Sequence, residues 1–133
     1  MDLMDLKPKS DDVELTLVHP VSGDALTNDD GTEMSIVVYA QHSKEYRSAI
    51  HDQQDRRIKA MQKKGNSGAY SAADLERDSI ELLAKVTKDW DITYGGEKPK
   101  MTFGKAKEVY SDVFWLRNQI EEALADSLDF TKA

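Results

Sequence analysis

The sequence has no cysteine among its 133 residues. That excludes a disulfide scaffold, a thiol nucleophile and any zinc site built on thiolates. A long apolar run is also missing: none approaches the ~20 residues that a membrane-spanning helix needs. The opening Met1-Asp2-Leu3-Met4-Asp5-Leu6 lacks the basic start of a secretory signal. Positive charge is scarce, with 18 Lys and Arg against 25 Asp and Glu, a formal net charge of −7. Nucleic-acid readers carry the opposite balance. Apolar residues make up 39%, which is low for a globule yet too high for a wholly disordered chain. The expectation is one acidic, soluble, cytoplasmic domain.

The residues that catalysis needs are present but not arranged for it. Glycines 65, 68, 95, 96 and 104 do not form a phosphate-cradling loop ending in Lys-Ser/Thr. His19, His42 and His51 show no i, i+4 pair of the kind that holds a metal on a helix. The run Asp24 to Gly31 fails as a calcium loop, because Leu26 stands where a ligand oxygen is required and Ser35 stands where a Glu should close the site. Asp11-Asp12, Asp29-Asp30 and Glu121-Glu122 are adjacent in sequence, so their side chains diverge instead of converging as an acid/base pair. No Gly-x-Ser-x-Gly elbow occurs. The chain is expected to be no enzyme and to take no cofactor and no metal.

Secondary structure is more legible. Residues 1–12 read as a flexible acidic arm, and 13–133 as a single α+β domain. Val13 to Val18 alternates with period two, as a half-buried strand does. His19-Pro20-Val21-Ser22-Gly23-Asp24 and Asn28-Asp29-Asp30-Gly31 are turn signals. Glu33 to Ala40 is β-branched and aromatic. The N-terminal third is therefore an antiparallel β-hairpin or meander, and such a pair needs a cover to be stable. Three to four α-helices follow, so the fold class is α+β and predominantly helical. Ser43 caps a helix to about Lys64, and Ser71 with Asp74 opens a second. In that second helix Leu75, Ser79, Leu82, Leu83, Val86 and Trp90 share one face. Asp91 to Lys100 is a loop. Thr102 caps a short helix to about Tyr110. Ser111 caps the last helix, or the two run on together. Val113, Leu116, Ile120, Leu124 and Leu128 form its apolar stripe, with Phe130 beyond.

Charge is segregated. Residues 1–33 hold nine acids and two lysines, while residues 44–64 hold seven bases and three acids. Such separation either leaves two solvated faces or joins molecules positive region to negative region. The basic run Arg56 to Lys64 lacks the interleaved aromatics that stack on bases, so no nucleic-acid partner is expected. The helix 44–64 has a poor apolar stripe and is either solvent-exposed or packed on another subunit. On a continuous last helix Trp115 falls roughly 160° from the centre of the stripe. Val113-Phe114-Trp115-Leu116 then wraps apolar surface around the whole turn, buried within the chain or placed at a contact with a partner.

The order Trp90, charged Gly/Pro loop, Met101-Thr102-Phe103, then Val113-Phe114-Trp115-Leu116-Arg117-Asn118-Gln119-Ile120 and a terminal Phe130 resembles the small tail assembly chaperones of long, non-contractile-tailed bacteriophages. His19-Pro20-Val21-Ser22-Gly23 and Ser43-Lys44-Glu45-Tyr46-Arg47 are similar to that family's N-terminal turn and first helix. The resemblance runs from about residue 13 to 130, on structural words and not catalytic ones. It implies a homo-oligomeric protein of the host cytoplasm, absent from the finished virion. Such a protein coats the tape measure protein and keeps it soluble while tail tube subunits polymerise. It implies a short form, with a longer frameshifted product to recruit tube subunits. Trp90, Trp115, Leu116, Ile120 and Phe130 are the family-like positions, in the core or at an interface, and Phe114 joins them as a candidate contact. The alternative expectation is a structural head–tail connector or tail terminator of the virion.

Overall fold

The computed structural model describes residues 2–7, 10–64 and 71–127. Strand β1 (Asp12–Thr16) pairs antiparallel with β2 (Ser35–Tyr39), Glu14 opposite Val37. Between them the chain doubles back twice, through bridges Val18–Ala25 and Thr27–Glu33. Gly23 and Gly31 turn these corners at φ 76° and 86°, values that a side chain would oppose. The expected arm carries one 3-10 turn, Leu3–Leu6, capped by the Asp2 carboxylate. Asp12 already belongs to β1.

Helix α1 (Lys44–Lys64) starts where the Ser43 hydroxyl accepts from the Tyr46 N–H. Helix α2 (Ala72–Lys85) opens on a reciprocal capping box between Ser71 and Asp74. Thr102 caps α3 (Phe103–Asp112), and α4 (Trp115–Asp126) follows. The fold is α+β and predominantly helical.

Two expectations are corrected. The helix face drawn through Trp90 ends early: α2 stops at Lys85, and Thr87–Asp91 is strand β3, antiparallel to β2. The sheet order is β1-β2-β3, so the hairpin gains its third strand from the middle of the chain. Leu75, expected on the buried face, is exposed. The second correction concerns the last helix. Ser111 lies inside α3 and caps nothing, and the two helices do not run on, because the ladder breaks at Val113-Phe114. Trp115 thus begins α4, and its angle on a continuous helix does not apply.

The helices cover one face of the sheet. Ile36 and Val38 from β2, Trp90 from β3, Leu83 from α2, Tyr110 from α3, and Leu116, Ile120 and Leu124 from α4 form one buried cluster. Between α1 and α2 the contact is polar. Gln53 and Asp78 are buried there, and the Gln53 amide donates to the Asp78 carbonyl at 2.7 Å. The Arg57 guanidinium meets the Asp78 carboxylate at 2.8 Å. The polar helix is thus seated by hydrogen bonds on its own chain, while Ile58 and Met61 stay half-exposed, at 54% and 50%.

Candidate interaction site

Of the residues singled out from the sequence, Phe114, Trp115 and Leu116 lie at the corner between α3 and α4. The Val113 N–H still reaches the Val109 carbonyl, and the Leu116 N–H reaches back only to Val113. That shortened bond starts a new helix, in a new direction, with no proline or glycine to mark it. Phe114 occupies the cap position in αR geometry with no side-chain cap. Its ring is 65% exposed.

Trp115 is half-buried against the core. It lines an apolar cleft of about 210 Å³ with Leu17, Leu26, Met34, Ile92 and Val109. Tyr94 closes one side and donates its hydroxyl to the Asp112 carboxylate. That hydrogen bond holds its proton and pushes the phenol up to about 12. Lys105 sits 5.2 Å from the centre of the same ring. The cleft can take an apolar side chain. Its polar lining is Tyr94 and Thr93, whose hydroxyl donates to the Asn28 amide oxygen.

Leu116 and Ile120 are buried in the chain's own core, at 4% and 0% exposure. Trp90 is buried too. Its indole N–H donates to the Pro99 carbonyl at 2.8 Å, and its ring meets Tyr110 edge-on at 6.3 Å. These three side chains build the corner; they do not present a surface. Phe130, like Leu128, lies outside the described residues. Of the five candidate contact residues among the described residues, Phe114 is the exposed one and Trp115 is partly so.

Sequence reasoning missed the polar residues that hold this corner. Gln119 is the chief of them: its amide donates to the Val18 carbonyl at 2.8 Å, and its carbonyl accepts from the Val18 N–H at 3.1 Å. Nothing local in the sequence signals a clamp across 101 residues. Asn28, also buried, joins the first loop to the strand end through Thr93 at 2.6 Å and Asp91 at 3.2 Å. Asp30 accepts from Lys98 and Thr32, and these bonds hold its carboxyl well below the usual range. The His19 Nδ1 accepts from the N–H groups of Val21 and Ser22, which makes it a turn organiser. His42 holds the Ser10 carbonyl at 3.0 Å and lies 3.3 Å from Asp11.

Among the described residues, no group of His, Asp and Glu is placed to hold a metal, and no helix is long and apolar enough to cross a membrane. No family model, curated protein or solved structure matches the chain. The site is argued from its own geometry. It is an exposed aromatic beside a lined apolar cleft, carried on a helix corner braced from the first strand.

Proposed function

We propose that this chain is a tail assembly chaperone of a long-tailed bacteriophage, binding the tape measure protein without catalysis. The reading rests on the resemblance of the segment from Trp90 to Ile120. One structural observation supports it: Phe114 stands exposed beside the cleft under Trp115. An elongated helical client presents apolar stripes, and an exposed aromatic next to an apolar cleft is suited to cover one turn of such a stripe. Ile58, Met61, Leu75 and Phe103 add exposed apolar points on other elements. Many copies, each covering a short stretch, would hold one long client soluble in the host cytoplasm. A longer frameshifted product would bring tail tube subunits, and the chaperone would leave before the virion is complete.

Co-expression with the tape measure protein tests this. Soluble tape measure protein should rise after centrifugation and co-purify with the chain, and Phe114→Ser should lower that yield while the chain stays folded. A client that remains insoluble beside abundant soluble chain, in the presence of the longer product as well, ends the reading. Mass spectrometry of purified virions should not find the chain; its retention there would instead identify a connector or terminator.

A further inference from the structure

The sheet has one face against the helices and one face open. On the open face the register aligns Glu14, Val37 and Asp89 in a row across all three strands. The rows on either side add Asp12 beside Tyr39, and Thr16 beside Ser35 and Asp91. Strands lie about 4.8 Å apart, so the central row places two carboxylates within about 10 Å, on either side of a valine. Glu14 and Asp89 are exposed, and Val37 and Tyr39 are half-exposed. Among the described residues two lysines touch this face, each already engaged, and Lys88 also lies 5.8 Å from the centre of the Tyr39 ring. Lys88 meets Asp12 at 2.8 Å, and Lys98 meets Asp91 at 3.1 Å. The face keeps an acidic surplus around an apolar centre.

The opposite composition sits at the far end of α1. From Arg56 to Lys64 that helix has five bases and no acid. Arg56 and Arg57 turn toward α2, to Glu81 and Asp78. Lys59 and Lys63 are exposed four residues apart, on one face of the helix. Ile58 and Met61 lie exposed in the same stretch. Helix rise carries Lys63 about 30 Å from Ser43, where α1 leaves the sheet. The basic half of α1 is packed on α2, on the side of the sheet that the helices cover, and not on the open acidic face.

We infer that the acidic open sheet face of one copy receives the basic C-terminal half of α1 from a second copy. The two patches match in charge, and each brings apolar side chains to cover: Val37 and Tyr39 on the sheet, Ile58 and Met61 on the helix. The patches are different surfaces of one chain, so the contact is heterologous. It leaves one face unused at each end and propagates into a ring or an open spiral. This inference goes beyond the client binding proposed above and rests on the homo-oligomer that the resemblance implies.

Sedimentation velocity on the full chain tests it. The wild type should associate with rising concentration at about 0.01 M salt, and should fall back toward monomer at about 1 M, where the screening length shrinks to about 3 Å. Glu14→Lys with Asp89→Lys removes one face, and Lys59→Glu with Lys63→Glu removes the other. Each pair should weaken self-association by about tenfold or more. Mixed, the two variants should recover association, because each retains one intact face and the two reversed faces are again opposite in charge. Circular dichroism reports whether each variant is folded. Should the reversed pair unfold the sheet, Glu14→Gln with Asp89→Asn keeps the test open and should weaken association in the same direction. A wild type that is monomeric at every salt, association indifferent to salt, or folded variants that associate as the wild type does would overturn the inference. A monomeric chain that still solubilises the tape measure protein would overturn this interface and leave the chaperone reading standing. An associating chain that leaves the client insoluble would do the reverse.

Discussion

The two sides of the molecule are held by different chemistry. Where α3 and α4 meet the sheet, the contact is dry: Ile36, Tyr110, Ile120 and Leu124 are sealed from solvent, and the polar groups present are bonded in pairs. Where α1 meets α2, the contact is a seam of Gln53, Arg57 and Asp78 flanked by longer ion pairs such as Arg56–Glu81 at 3.6 Å. Apolar burial is strong and tolerant of direction, whereas a buried polar seam gains little net free energy but penalises any misfit. The dry side supplies stability. The wet side fixes where α1 points at small net gain, and so holds its basic end at a set place on the surface.

The comparison can be broken most severely on the dry side. Ile120→Ala should cost about 2–5 kcal/mol, because it opens a cavity among fixed neighbours. A urea titration should show the midpoint fall with its slope unchanged, and a cost within error would mean that the α4 contact is looser than drawn. Asp78→Ala should cost less, about 1–3 kcal/mol, since it removes the carboxylate that the Arg57 and Arg77 guanidinium groups meet at a site open on one side. Its effect should be local: amide exchange should quicken along α1 and stay slow in β2 and α4. Uniform quickening would refute the division into two sides.

Tyr110 sharpens the comparison through pH. Burial raises its phenol from 10.0 to about 12, and the hydrogen bond it shares with Thr87 opposes part of that rise. A raised folded value means that the folded state holds the proton more tightly than the unfolded state. The stabilisation is therefore complete below about pH 10 and drains away as pH climbs toward 12. Tyr110→Phe should flatten that alkaline loss and cost about 1 kcal/mol at neutral pH. An unchanged alkaline limb would place the loss elsewhere. The smallest expected effect on stability is at the corner: Phe114→Ser should stay within about 0.5 kcal/mol, because its ring is mostly in water already. A larger loss would mean that Phe114 packs within the chain and is no contact residue.

Much of this arrangement was legible in the residues. Ser43, Ser71 with Asp74, and Thr102 cap the helices that the sequence assigns to them, because a side-chain oxygen at a helix start is a local signal. The β-branched run around Ile36 is a strand for equally local reasons. Strand β3 was illegible because of a bulge. The register slips between Val37 and Val38, so Thr87 and Trp90, three residues apart, both turn inward. Odd spacing breaks the period-two pattern of a strand and fits a helix face, which is why Trp90 continues the stripe of α2 so well. The break at Val113 has no punctuating residue and follows from packing alone. Of the site, the buried Leu116, Ile120 and Leu124 could be read from spacing; the exposed Phe114 could not, because the angular argument singled out Trp115 on a helix that breaks just before it. The cleft could not, since its walls come from the chain just after β1, the first loop and the chain just after β3 as well as from α3 and α4.

The Gln119 clamp has a consequence for how the chain is made. The segment that extends β1 is tied down by a side chain from α4, which is synthesised 101 residues later. A contact of such sequence separation adds a large closure entropy to the route of folding. The nascent hairpin must therefore wait, with the backbone of Val18 unclaimed, until α4 emerges to take it. Synthesis order thus makes the edge beside Val18 the last part of the sheet to be secured, and a chain cut short before position 119 would leave that edge open to pairing with a neighbour.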